Sequence, residues 1–167
     1  RASLNLAKDF PGLNVTVHAA AEWAETPETL EETKRAIADA DMIVANLLFL
    51  EEHISPIIDD LRAVRDKVDG IAGVIADAAI IKLTKLGKLD MSKPASPMMQ
   101  LLKKLKPKSD DSPVETGEKR MAQLKRLPKL LKMIPGKAQD LRSWFLVMQY
   151  WLGGSDDNVE QMVRYLL

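Results

Sequence analysis

A nearly unbroken apolar run, DMIVANLLF at 41–49, limits this chain more than any other feature. A strand with one wet face alternates apolar and polar residues. A run without alternation belongs to a strand covered on both faces, as in a parallel sheet. The segments around it fit that reading. LNVTVHA (13–19) is short, β-branched and bounded by Pro11-Gly12, so it reads as a strand. TPETLEETKRAIADA (26–40) starts with Thr26 in the cap position, Pro27 at the first helical position and acids in the first turn, a strong helix start. From Leu50 to Val68, apolar residues at 50, 54, 57, 58, 61 and 64 form a helical stripe. Asp69-Gly70 turns into a third strand, IAGVIA (71–76), and DAAIIKLTKLG (77–87) reads as a short helix closed by Gly87.

This β-α-β-α-β-α order predicts parallel strands joined by right-handed crossovers. The expected fold is therefore α/β, a parallel flavodoxin-like or Rossmann-like three-layer head domain over residues 1–106. SLNLAKDF, before Pro11, reads as the last turns of a helix, so a first strand is expected upstream of Arg1. No GxGxxG or Walker sequence is present, and nothing argues for a bound nucleotide.

Beyond Lys88 the pattern changes. DMSKPASP (90–97) is a loop with two prolines, and PMMQLLKKLK (97–106) a short amphipathic helix. PKSDDSPVETG (107–117) is polar, without periodicity, and reads as a flexible linker. Three helices are expected after it, over about 118–134, 138–152 and 156–167, with Pro128 kinking or splitting the first. Ser155 or Asp156 caps the last. Residues 118–167 would begin a helical neck domain. A chain of 167 residues without a cysteine has no disulfide framework, thiolate nucleophile or cysteine metal site. With a start on Arg1 and not on methionine, it is expected to be a piece of something longer.

The net charge of zero hides an asymmetry. Residues 1–81 hold 7 Lys/Arg and 15 Asp/Glu, a net of −8, whereas residues 82–132 hold 14 and 5, a net of +9. Such a basic stretch attracts nucleic acid or an acidic surface, or simply forms a solvated connector. It contains no aromatic residue, so it lacks the stacking platforms of single-strand binders. Lysine supplies 12 of its 14 cations, which suits loose steering better than a bidentate carboxylate clamp.

The stretch WFLVMQYWLGGSDDN (144–158) places two tryptophans, a tyrosine and a phenylalanine within eight positions. Trp144, Val147, Met148, Trp151 and Leu152 share one helical face, with Phe145 and Gln149 beside it. Burial between other elements is the plain explanation, and a stacking site for a flat macrocycle the sharper one. Gly153 is the expected left-handed cap.

Taken together, QYWLGGSDDN (149–158), KAQDLRSWFLVM (137–148), KLTKLGKLDMSKPAS (82–96), LKRLPKLLKMIPGKAQD (124–140), HAAAEW (18–23) and ANLLFLEEHI (45–54) are similar, in order, to segments of the large porphyrin-binding H subunits of magnesium chelatases. HAAAEW leans toward the bacteriochlorophyll branch. The resemblance implies a bacterial cytoplasmic or plastid stromal protein that works with two AAA+ ATPase partners, the I and D subunits. With ATP hydrolysed on those partners, the complex inserts Mg²⁺ into protoporphyrin IX. It also implies that this N-terminal region is not catalytic alone and contributes to porphyrin handling or subunit docking. Two other readings stay open: the corresponding region of a cobaltochelatase large subunit, and a partner-binding adaptor without ligand.

No catalytic or metal-binding residue is assigned. The candidates for a porphyrin crevice are His18, Glu22 and Trp23, at the carboxyl end of one expected strand, and Asn46, Glu51 and Glu52, with His53, at the end of the next. Open α/β sheets bind ligands at that end. The plain alternative makes Glu51 and Glu52 first-turn helix acids and His18 a surface histidine. Asp77 reads as a helix cap.

Overall fold

A computed structural model describes residues 2–93 and 137–167 of the chain. The expected linker at 107–117 and the helices expected over 97–106 and 118–134 lie outside the described residues. The elements in chain order are α1 (Ala2–Asp9), a single 3-10 turn (Ala20–Glu22), α2 (Pro27–Asp39), β1 (Met42–Asn46), α3 (Glu51–Ile54), α4 (Ile58–Val64) and β2 (Gly70–Val74). They are followed by α5 (Ala78–Ile81), β3 (Lys85–Leu86), β4 (Leu89–Asp90), α6 (Lys137–Gly153) and α7 (Asp156–Leu166). The class is α/β, and the described strands form one sheet in the order β1-β2-β3-β4.

The parallel expectation holds for β1 and β2, whose register runs from Met42 opposite Gly70 to Asn46 opposite Val74. It fails for β3 and β4, which are antiparallel to their neighbours, so the sheet is mixed. The helix expected over 77–87 stops at Ile81, and the chain turns instead into a hairpin. Gly87, at φ +54, opens a two-residue turn between the paired Leu86 and Leu89. Positive φ is what such a turn demands, and glycine meets it without a Cβ penalty. Asp140 in the first turn of α6 fastens the turn by accepting from the Lys88 backbone N–H at 2.8 Å.

Two further expectations need correction. Residues 13–19 take no regular secondary structure and join no ladder among the described residues. β-branched residues between turn signals do not make a strand without a hydrogen-bonding partner. The helical stripe from Leu50 to Val68 is broken into α3 and α4 around Ser55-Pro56. Proline has no N–H for the helix ladder and its ring clashes with the preceding turn. By contrast, α2 starts at Pro27 with Thr26 in the cap position, although the Thr26 side chain makes no capping bond.

β2 is buried throughout and alternates between two cores. Ile71 packs on one face with Ile37 of α2, Leu61 and Val64 of α4 and Ile80 of α5. Ala72 and Val74 face Leu141, Trp144, Phe145, Val147 and Met148 of α6, with Met162 of α7 behind. The helical segment after the expected linker is thus the cover of one sheet face. α1 belongs to the same side. It lies on α7, with Asn5 donating to Glu160 at 3.0 Å, Arg164 pairing with Asp9, and the Arg164 guanidinium 5.6 Å from the Phe10 ring centre.

The aromatic stretch is structural at its main residue. Trp144 is buried, sits edge-to-face with Phe145 at 4.9 Å, and donates its indole N–H to the Gly73 carbonyl at 2.8 Å. Phe145 is more deeply buried than the face drawn from periodicity implied, whereas Leu152 is exposed. The cap also shifts by one residue: Gly154 takes the left-handed conformation (φ +64), and Gly153 stays helical with the Asn158 side chain packed where a Cβ would stand. Ser155 caps α7, its side chain accepting from the Asn158 N–H at 3.2 Å.

Below β2, the buried Arg65 donates to the Leu83 carbonyl (3.0 Å), to Asp66 (3.2 Å) and to Asp90. Partial burial pushes the Asp90 carboxyl up. The Ser92 hydroxyl and amide and the Arg65 guanidinium outweigh that and hold it far below the usual carboxylate range. A carboxyl with a depressed folded pKa stabilises fully above its unfolded value near 4 and loses that contribution as pH falls toward the folded value. Asp90→Asn is therefore expected to cost roughly 1–3 kcal/mol at pH 7. It should also flatten the fall in stability between pH 4 and 2, read from urea midpoints across pH. An unchanged acid slope would mean that this carboxylate does not couple to folding.

Candidate binding crevice at the carboxyl end of the sheet

The carboxyl ends of β1 and β2 leave the ladder in the same unusual way. Leu47 (φ 55) and Ile75 (φ 48), each the first residue past its strand, adopt the left-handed conformation. For a β-branched residue this is a true outlier, costing on the order of 1–3 kcal/mol. Two backbone bonds hold it: the Leu47 N–H donates to the Ile75 carbonyl at 3.0 Å, and the Asp77 N–H to the Leu48 carbonyl at 2.8 Å. Asp77 also caps α5, its carboxylate accepting from the Ala79 N–H at 2.8 Å, as its position in the sequence implied. Strain of this kind persists where surrounding structure over-determines it, and it clusters at ligand sites.

The rim is unusually apolar for a surface. Leu47 and Phe49 are each 56% exposed and Leu50 51%, next to the buried carboxamide oxygen of Asn46, which has no hydrogen-bond partner. Trp23 is buried, donates its indole N–H to Thr33 Oγ1 at 3.2 Å, and meets the His53 ring edge-to-face at 6.5 Å. That contact brings the segment carrying His18 and Glu22 against the segment carrying Asn46, Glu51 and Glu52. His18, Glu22, Glu51 and Glu52 are exposed. Glu51 accepts from the Ser55 hydroxyl at 2.5 Å within α3. No hydrogen bond or ion pair among the described residues joins the side chains of His18, Glu22 or Glu52 to this rim.

Sequence reasoning missed the left-handed pair, for which two apolar residues give no signal, and the His53 contact that seats Trp23. A shallow groove of about 430 Å³, lined by Ile37, Asp41, Asp60 and Lys67 among others, lies at the amino ends of the strands, away from these candidates. The described residues include no cluster of three or more metal-ligating side chains and no helix long and apolar enough to cross a membrane.

What the rim can do is present an apolar lip to a ligand or a partner, with the buried Asn46 oxygen and the Trp23–His53 contact behind it. If Leu47 is strained and its side chain idle, Leu47→Gly should stabilise the chain by about 1 kcal/mol. A lowered urea midpoint would show that the side chain is already engaged within the fold.

Residues 1–145 match the family described as a domain of unknown function (DUF3479). Over all 167 residues the chain is 58% identical to the magnesium-chelatase H subunit of Cereibacter sphaeroides and 56% identical to that of Rhodobacter capsulatus. It spans 14% of the length of each. It is 32% identical, over 140 residues, to the chloroplastic magnesium-chelatase ChlH subunit of Oryza sativa subsp. indica, covering 83% of this chain and 10% of the relative.

Proposed function

We propose, for a chain that belongs to the magnesium chelatase H subunit family and corresponds to its N-terminal region, that it serves as a porphyrin-handling head of that subunit. In this reading the whole protein binds protoporphyrin IX. With two AAA+ ATPase subunits, I and D, it inserts Mg²⁺ at the expense of ATP in (bacterio)chlorophyll biosynthesis. The head itself is non-catalytic. The observation that carries the reading is identity above half across every residue of the chain, not across one motif. Similarity that even extends to the sheet, to α6 and to the rim together.

The rim supplies what handling a planar, propionate-bearing macrocycle needs. The exposed Leu47, Phe49 and Leu50 offer apolar surface to the ring, and the partly buried His53 lies against the buried Trp23 in the same region. The Asn46 carboxamide oxygen, buried and unpaired in the fold, could accept from a pyrrole N–H only after the rim opens over it. Mg²⁺ prefers oxygen ligands and retains its waters, so Glu51 and Glu52 suit a loose electrostatic role better than rigid ligation. The exposed apolar lip equally favours a second reading, in which this end of the sheet docks on another protein surface.

Protoporphyrin IX titration separates the two. Porphyrin handling predicts a Soret shift with quenching of tryptophan fluorescence. Most of that quenching should be lost in Trp23→Phe and kept in Trp144→Phe, because Trp144 is committed to Gly73. A silent Soret band, with an AAA+ subunit retained at low salt and released at high salt, would instead establish docking.

A further inference from the structure

Both strand ends break the alternation of the sheet at the same step. Along β1, Met42 and Val44 pack on the core under α6, and Ile43 and Ala45 on the core under α2 and α4. Continued alternation would send Leu47 into that second core. Leu48 packs there instead, and Leu47 is exposed. Along β2, Ala72 and Val74 face α6 and Ile71 faces the other way, so alternation would put Ile75 with Ile71 and Ala76 with Val74. Ile75 packs under α6, and Ala76 is buried on the Ile71 side. In each strand one left-handed residue, Leu47 or Ile75, turns the side chains over to the opposite faces.

The two ends are not equally fixed. Returning β2 to regular alternation would exchange an isoleucine for an alanine between two packed cores, leaving a cavity in one and overfilling the other. At β1 the exchange is between two leucines. With Leu47 moved in and Leu48 moved out, the core receives the same side chain, and the strained backbone of Leu47 is released. Two backbone bonds hold the observed arrangement: Leu47 N–H to the Ile75 carbonyl at 3.0 Å, and Asp77 N–H to the Leu48 carbonyl at 2.8 Å. Switches are built from elements with two discrete packings that differ little in energy.

We propose that residues 47–50 are a two-state switch at the crevice, in which Leu47 and Leu48 trade places between surface and core. β2, with its left-handed Ile75, is the fixed support. The chain pivots at Leu47, next to Asn46, whose buried carboxamide oxygen has no partner. The exchange is the movement that opens the rim over that acceptor, and it carries the exposed Phe49 and Leu50 with it. A ligand that engages Asn46 selects the exchanged state. For its ligand this regulation rests on the porphyrin-handling reading; the exchange of the two leucines does not.

Thiol alkylation in the whole protein tests both parts. Leu47→Cys and Leu48→Cys are made separately, and alkylation at each position is followed by peptide mass spectrometry. Protoporphyrin IX, at concentrations that shift its Soret band, should slow alkylation of Leu47→Cys and speed that of Leu48→Cys, each by about fivefold or more. Slowing at both positions would mean a rigid rim that the ligand merely covers; it would overturn the switch and leave the porphyrin reading standing. A Soret shift with no change at either position would place the ligand elsewhere and overturn the switch as well. If no Soret shift occurs, the porphyrin reading fails and the ligand-free comparison decides. There, adding Leu47→Gly to Leu48→Cys should slow alkylation of the thiol about tenfold, because glycine removes both the strain and the leucine that would take the place of residue 48. An unchanged rate would sink the exchange.

Discussion

The backbone of Gly73 is the point through which the layers of this molecule are registered. On one face, α5 rides so close that a Cβ at position 73 would stand 2.5 Å from the Ile80 carbonyl oxygen. Only glycine allows that approach. At the strand's edge the Gly73 N–H meets Thr84 Oγ1 at 3.0 Å and its carbonyl accepts from Trp144 at 2.8 Å. A buried peptide left unpaired costs more than a typical hydrogen bond is worth. The position of α5, the return of the chain at Thr84 and the seating of α6 are therefore set together. What lies around Gly73 follows: the β3–β4 hairpin, held by Asp140 at Lys88, and the core that α6 and α7 close over Ala72 and Val74.

The sequence disclosed those parts whose cause is local. The Thr26-Pro27 start of α2, the Asp77 cap and the Ser155 cap each depend on a few adjacent residues, and each is where local chemistry puts it. The apolar run 41–49 gives a strand, but β1 ends at Asn46 and is only partly buried, with Leu47 and Phe49 exposed beyond it. What the sequence concealed depends on partners. Residues 13–19 are β-branched and bounded by Pro11-Gly12 as a strand should be, but hydrogen-bond partnership is not written in composition. β3 and β4, two residues each, are too short for any periodicity to show. The stripe over 50–68 counts apolar positions and passes over Pro56. The rim was legible only in outline. Strand ends in an α/β sheet mark a ligand edge, and of the two groups chosen there Trp23 and His53 meet. The left-handed Leu47 and Ile75 left no trace in composition.

Membership of the magnesium chelatase H subunit family and the geometry of the sheet bear on different questions. The first says which proteins this chain is related to. The second shows where the unusual features gather: strained backbone, an unpaired carboxamide and exposed Leu47, Phe49 and Leu50 all occur at the carboxyl ends of β1 and β2. On the other side of β2, the Gly73 N–H and carbonyl are both met by side chains, Thr84 and Trp144.

If Gly73 and Trp144 bind α6 to the sheet as described, the two must unfold as one cooperative unit. Native-state hydrogen exchange under low denaturant reads this directly. The amides of Ile71–Val74 and Leu141–Met148 should open with the same free energy, and Trp144→Phe should lower both together by roughly 1–3 kcal/mol. Exchange of α6 through its own low-energy opening, while β2 stays protected, would contradict the account.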